Sequence, residues 1–109
     1  MKRFVKADEP DVIELGGGTC RRIRAHNPEA MLVEVGFETG AVGSDHSHPH
    51  TQISYVLSGA FTYHIEGETF AMQPGDSIVV DGGKVHGCTC LKAGTLLDVF
   101  APMREDFIR

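Results

Sequence analysis

Hydrophobic and polar residues alternate in short runs along this chain, and turn-forming residues close each run. Alternation with a period of two places apolar side chains on one face of a β-strand. Almost no stretch shows the 3.6-residue periodicity of an amphipathic helix. The pattern therefore predicts an all-β protein, either a sandwich or a barrel. The predicted strands cover residues 31–37, 53–57, 61–65, 69–72, 77–80 and 95–101.

The segments between these strands predict how the chain reverses direction. Ser58-Gly59 and Glu66-Gly67 each follow an alternating run, so each predicts a hairpin. Residues 73–76, Gln-Pro-Gly-Asp, predict a further tight turn. The glycine triplet at 16–18 predicts a bend between two early strands, because the strand–loop–helix context of a phosphate loop is missing. The tail from 103 to 109 is expected to form a short helical turn or to extend along the surface.

Composition narrows the class of protein. The chain has 109 residues, a net charge of −5, 41% hydrophobic and 23% charged residues, which is typical of one soluble globular domain over residues 1–109. Without a basic stripe, no nucleic-acid partner is expected, and the strand-sized apolar runs predict no membrane span. No apolar segment follows the basic N-terminus, so we expect no signal peptide. The three cysteines lack the paired spacing of a zinc site, which favours free thiols in the cytoplasm.

A cluster of histidines provides the strongest chemical signal. Residues 46–52 read His-Ser-His-Pro-His-Thr-Gln. On an extended strand His46 and His48 share one face, Gln52 has the same parity, and His86 is expected to come from another strand. Three imidazoles and one amide oxygen leave positions open for water or substrate, as catalytic metal sites do. We expect one divalent metal ion per subunit, with Zn, Ni, Fe and Mn all open.

The remaining histidines and two cysteines carry weaker signals. His26 and His64 are expected to be ordinary structural residues, with His64 facing solvent. His50 has ligand parity but follows a proline, so a role beside the metal, a role facing substrate and no role are all open.

Cys88 and Cys90 share the strand parity of His86. One interpretation is that a cysteine binds the metal as a thiolate. The favoured interpretation is that both cysteines are small buried residues.

These positions resemble the two sequence motifs of the cupin superfamily. The resemblance implies a double-stranded β-helix, that is, a jelly-roll barrel with a metal on the motif histidines. Gln52 replaces the usual glutamate, Asp81 the usual proline and Cys90 the usual asparagine. The positions of the first motif are Gly40, His46, His48, Gln52 and Gly59. The positions of the second motif are Gly75, Asp81, Gly83, His86 and Cys90.

Residues 14–18, 46–59 and 96–107 resemble the small pectin-degradation cupins of the KdgF type, and the similarity runs over nearly the whole chain. It implies a metal-dependent isomerase- or lyase-type enzyme that linearises 4,5-unsaturated monouronates from pectin or alginate. Thr51 departs from the family, in which a glutamate is expected. The resemblance assigns the metal to His46, His48, Gln52 and His86, and catalytic roles to Asp98, Phe100 and Arg104.

Asp98 and Phe100 share strand parity with Leu96 and should point inward together. A carboxyl in a partly apolar cavity has a raised pKa, which suits general acid–base catalysis. The alternative is a buried aspartate held by backbone donors or an arginine. Phe100 is expected either to pack against the sugar or to belong to the core.

Arg104 suits the binding of a substrate carboxylate, because a guanidinium can bind it through two hydrogen bonds. The alternative is a surface ion pair with Glu105 or Asp106. Arg22 and Arg24 are lower-ranked candidates to reach the cavity.

Gln52 also bears on the type of reaction. Non-haem Fe(II) oxygenases use two histidines and a carboxylate, whereas an amide ligand leaves the metal charge intact and favours Lewis-acid chemistry. A cupin Fe(II) dioxygenase and a non-enzymatic sugar- or metal-binding module are the two alternatives. A homodimer is expected by analogy with other small cupins, whose short barrels leave open edges.

Overall fold

The structure is a computed structural model that describes residues 2–108. Antiparallel strands make up most of it, and a short 3-10 helix at Glu105–Phe107 follows them. The strands are β1 (Ile13–Gly16), β2 (Thr19–Asn27), β3 (Ala30–Phe37), β4 (Val42–His46), β5 (Thr51–Ile65), β6 (Glu68–Met72), β7 (Ser77–Val80) and β8 (His86–Ala101).

The two long strands β5 and β8 organise the barrel. They pair antiparallel from Thr51 opposite Ala101 to Ile65 opposite His86. The first half of β5 also pairs with β7 and its second half with β6. The first half of β8 also pairs with β4 and its second half with β3. Because both strands take part in both faces, the sheet closes on itself as the predicted jelly-roll barrel.

The predicted hairpin at Ser58-Gly59 is wrong, because β5 continues through this position, where its register with β8 shifts. Gly59 has φ +83, and a Cβ there would collide with the backbone of residues 92–94 in β8. Gly94 on the opposite strand is equally crowded, against the carbonyl of Ser58. The glycines therefore let two continuous strands bend in close contact. Because Gly94 bends β8 without ending it, β8 begins at His86, nine residues before the start of the predicted strand at 95.

The other predicted turns are confirmed. Glu66-Gly67 connects β5 to β6 in a hairpin with Ile65 opposite Glu68. Residues 73–76 connect β6 to β7, and the glycine triplet connects β1 to β2. The tail forms the 3-10 helix, one of the two conformations expected for it.

The interior contains polar side chains as well as apolar ones. One apolar cluster includes Phe37, Val56, Phe61 and Leu96, and a smaller cluster includes Met31, Val33 and Phe100. Buried polar groups need partners, so their grouping inside a barrel indicates a functional site. No helix within residues 2–108 is long and apolar enough to cross a membrane. The buried polar or charged residues are His48, Gln52, Ser54, His86 and Asp98.

Candidate metal centre

Three histidines meet at one end of the barrel, as the sequence predicts. His46 ends β4, His48 lies in the loop after it, and His86 begins β8. One nitrogen of each ring lies within 4.8 Å of the others, and the ring centroids of His46 and His86 are 4.4 Å apart. This spacing allows all three imidazoles to bind a single metal ion.

The reason for this convergence differs from the predicted one. Because β4 ends at His46, the alternation of side chains along one strand does not govern His48. Instead, the pairing of β4 with β8 sets His46 directly opposite His86. The loop then returns His48 over both rings, 4.9 Å from the His86 ring centroid.

Backbone carbonyls set the orientation of two of the rings. Nδ1 of His46 lies 2.8 Å from the Ser44 carbonyl oxygen, and Nδ1 of His86 lies 2.9 Å from that of Lys84. Because a carbonyl only accepts, each Nδ1 carries the hydrogen and each neutral ring keeps its lone pair on Nε2. Burial lowers the pKa of His86, with a further contribution from His46. The neutral, metal-binding form is thereby favoured.

The amide oxygen of Gln52 completes the group. Oε1 lies 3.0 Å from Nε2 of His48 and 3.2 Å from Nε2 of His86. In neutral His86 this nitrogen is an acceptor, as Oε1 is, so the two lone pairs face each other without a proton between them. A cation bound by both atoms relieves this repulsion. The donor set therefore fits a divalent metal ion.

Hydrogen bonds hold the Gln52 amide in this orientation. Its Nε2 donates to Ser54 Oγ at 3.0 Å and to the Tyr63 hydroxyl at 3.2 Å. Ser54 Oγ in turn donates to Oδ1 of Asp98 at 2.6 Å. The ionised carboxylate only accepts, so the Ser54 hydrogen points to Asp98 and its lone pair points to Gln52. Asp98 thus directs Oε1 of Gln52 toward the histidines.

Asp98 points inward, as its strand parity predicts. Burial raises its pKa to about 6, although the hydrogen bond from Ser54, the nearby Gln52 amide and the charge of Arg104 act in the opposite direction. A carboxyl with such a pKa has both protonation states accessible near neutral pH. This property suits a group that exchanges protons with a substrate.

The site opens into a cavity of about 570 Å³, a volume suited to a small ligand such as a monosaccharide. Its wall combines the metal-centre residues with the sequence-predicted catalytic residues, which come from several strands and the C-terminal segment. Among the residues that line it are His46, Gln52, His86, Asp98, Phe100 and Arg104.

Arg104 combines the two alternatives that the sequence leaves open. Its guanidinium lines the cavity, and its side chain is only 13% exposed. Nε and Nη2 also donate to Oδ1 and Oδ2 of Asp106 at 3.1 and 3.0 Å. Its Cζ lies 5.1 Å from the Phe100 ring centroid. Phe100 is itself buried, so it is both part of the core and part of the cavity wall.

The arginine on β2 that reaches the cavity is Arg21, which is not among the residues that the sequence predicts for the site. Arg22 is absent from the cavity wall, and Arg24 pairs with Glu34 at 2.6 Å. Arg21 has the strand parity of Ile23, which packs against a core cluster. That parity is the signal from which an inward Arg21 could have been predicted.

The two cysteines beyond His86 stay outside the group of converging nitrogens. Cys88 lines the cavity, and burial raises the pKa of its thiol to about 12, with a contribution from the charge of Asp98. Cys90 is buried, with Sγ donating to the Lys92 carbonyl at 3.1 Å. Both are protonated, small buried residues at neutral pH, which is the favoured one of the two expectations.

The other histidines lie at the edge of the site. The His50 ring is 5.4 Å from that of His48, which places it beside the metal centre. His64 is half-buried, and its Nε2 lies 2.6 Å from Oδ1 of Asp45. Neither His50 nor His64 belongs to the converging group among the described residues.

A jelly-roll barrel that carries three converging histidines at one end defines a cupin with a candidate metal site, and the family comparison confirms the cupin domain. The model of the cupin domain family matches residues 33–100, so the chain belongs to this family. It is 39% identical over 110 residues to the pectin degradation protein KdgF of Dickeya dadantii, covering 99% of this chain and 100% of that protein.

Two solved structures show the same similarity. The structure of KdgF from Halomonas sp. has a TM-score of 0.92 and 38% identity, covering 98% of this chain and 99% of that one. An RmlC-like cupin from Shewanella frigidimarina has a TM-score of 0.94 and 36% identity, covering 98% and 96%.

Proposed function

We propose that this cupin, loaded with metal, linearises 4,5-unsaturated monouronates from pectin or alginate to open-chain keto sugar acids. The observation that carries this proposal is the buried, titratable Asp98 coupled to the histidine-and-amide centre in a cavity of monosaccharide size. The similarity to a protein named for pectin degradation supports the substrate class.

His46, His48, His86 and Gln52 would hold one divalent ion. When bound, this ion supplies Lewis acidity toward a substrate oxygen. Three nitrogens and one neutral oxygen suit Zn, Ni, Fe and Mn alike, so the donor set does not select the metal.

The reaction needs proton transfers and no net oxidation. The proton of the anomeric hydroxyl leaves, the bond between the anomeric carbon and the ring oxygen breaks, and an aldehyde and an enolate form. A proton added to C4, the alkene carbon next to the enolate carbon, then converts the enolate to a ketone, so that one proton is lost and one is gained. Asp98 is suited to accept the first proton and to return a proton to carbon, because its pKa of about 6 lies near the working pH.

Two neighbours of Asp98 complete the proposed site. Phe100 offers a flat apolar wall to the sugar ring, and the adjacent Arg104 adds positive charge to the wall of a cavity that would receive an anionic sugar. The double bond removes the stereocentres at C4 and C5, so galacturonate- and mannuronate-derived substrates differ only in the configuration at C2, and the proposal covers both.

The test is to add the metal-loaded protein to an unsaturated monouronate, prepared by exhaustive lyase digestion, and to follow the ultraviolet absorbance of its conjugated double bond. We expect a decay much faster than the spontaneous one, lost with a chelator and in Asp98→Asn. Asp11→Asn, at an exposed position, is the matched control. No acceleration by fully metallated protein would reject the proposal, and oxygen uptake would instead support a dioxygenase.

We also propose a cytoplasmic homodimer. The three cysteines are free thiols, as expected in a reducing compartment. Ile53 lies opposite Val79 on one side and Val99 on the other, and all three are exposed. Such an apolar patch is typical of a contact surface. Sedimentation equilibrium of wild type and Val79→Lys, with the exposed Leu91→Lys as control, tests it.

A further inference from the structure

The side chain of Arg21 lies in the cavity wall. Arg21 on β2 lies opposite Val35 on β3, which lies opposite Leu96 on β8, and all three line the cavity. Its Nε is buried and has no hydrogen-bond partner. Among residues 2–108, no aspartate or glutamate lies within ion-pair distance of it. A half-buried guanidinium whose Nε is buried without a partner has donors left for a ligand.

A second arginine lies beside it. The Cζ atoms of Arg21 and Arg104 are 3.8 and 4.3 Å from the centroid of the same Phe107 ring. Burial, followed by the charge of Arg104, lowers the pKa of Arg21. Asp106 accepts a hydrogen bond from Arg104 on each of its two carboxylate oxygens. Arg21, Arg104 and Asp106 together therefore carry one net positive charge.

We propose that Arg21 is the residue that binds the carboxylate group of the substrate. Arg104 has two of its donor nitrogens occupied by Asp106, whereas no acidic side chain of residues 2–108 lies within ion-pair distance of Arg21. The Phe107 ring holds the Arg21 guanidinium by stacking, which lowers the entropy cost of binding an anion through two hydrogen bonds. The inference rests on the proposed uronate-linearising function and identifies the residue that selects acidic over neutral sugars.

A purely structural role for Arg21 makes a different prediction. If the side chain only packed against Phe107, its replacement would lower stability without changing the preference for an acid over an ester. The readout must therefore be this preference and not binding alone. The ester keeps the sugar ring and removes the negative charge.

The first measurement is calorimetric binding of D-galacturonate and of its methyl ester to metal-loaded protein. Wild type should bind the acid at least about tenfold more tightly than the ester, and Arg21→Gln should remove this preference. Arg22→Gln, on the same strand but outside the cavity wall, is the matched control and should keep it. An unchanged preference in Arg21→Gln, or no preference in wild type, overturns the assignment.

Turnover of the unsaturated monouronate separates this inference from the proposed function. Arg21→Gln should raise KM by about tenfold or more and change kcat by less than about threefold. Acid-selective binding that depends on Arg21, without turnover by wild type, would retain the inference and reject the function. Turnover with the wild-type KM in Arg21→Gln would do the reverse. Arg21→Lys, which keeps the charge and loses the two-point geometry, provides the same KM test if the glutamine variant does not fold.

Discussion

Ser54 Oγ lies 2.6 Å from Oδ1 of Asp98 and joins the proposed acid–base group to the metal centre through one oxygen atom. The same hydroxyl accepts a hydrogen bond from Nε2 of Gln52 at 3.0 Å. The protonation of Asp98 and the orientation of the amide are therefore coupled. A change at any of these three side chains should affect both metal binding and proton transfer.

Ser54→Ala should weaken this coupling. Removal of the hydroxyl leaves Asp98 and the Gln52 amide each without one buried partner, so the free energy of unfolding should fall by about 1–3 kcal/mol. The loss of a hydrogen bond that lowers the pKa of Asp98 should move the acidic limb of the kcat–pH profile to higher pH. Thermal melts and initial rates measure the two effects. The exposed Ser77→Ala should change neither, and an unmoved profile in Ser54→Ala would refute the coupling.

The raised pKa of Asp98 should also be visible in stability. Between the ordinary value of 3.8 and about 6, the folded protein binds a proton that the unfolded chain has lost. The Asp98 contribution to stability therefore falls as pH rises through this window, and levels off above it. Urea denaturation of metal-free wild type and Asp98→Asn at several pH values measures the difference. If wild type gained stability relative to Asp98→Asn as pH rose, the sign of the shift would be wrong.

Gln52→Glu should exchange catalytic power for metal affinity. A carboxylate adds a negative charge to the centre, so the metal should bind more tightly and act as a weaker Lewis acid. We expect metal affinity to rise and kcat to fall by about tenfold or more. Competition with a chelating dye and rates at full metal occupancy measure both. Gln73→Glu, at an exposed position, serves as the control, and an unchanged kcat in Gln52→Glu would contradict the role of the neutral amide.

The bend in β5 gives a prediction on folding. Gly59 and Gly67 have nearly the same positive φ, +83 and +86, but a Cβ meets backbone only at Gly59. Gly67→Ala should cost about 1 kcal/mol from backbone strain alone, and Gly59→Ala should cost at least about 2 kcal/mol more because two strands must separate. Chemical denaturation measures both. Equal losses would show that close contact of β5 and β8 is not the reason for glycine at this position.

Much of the fold was accessible from the sequence. Alternating runs predicted the strands, and the turns at Glu66-Gly67 and at 16–18 were recognised because short-range backbone geometry depends on local residues. The hairpin predicted at Ser58-Gly59 is wrong, because a glycine that permits a chain reversal also permits a bend in a continuous strand. The choice between the two depends on whether another strand crowds that position, and here β8 does.

The site divides in the same way. The sequence by itself determined which residue types are candidates for the site, since the cluster of histidines at 46–50 and the inward parity of Asp98 are properties of the local chain. Only the tertiary structure decided that His46 lies opposite His86, that Ser54 links Asp98 to Gln52, and that Arg21 faces the cavity while Arg24 pairs with Glu34. These relationships depend on register between strands distant in sequence, and register is set by packing of the whole barrel.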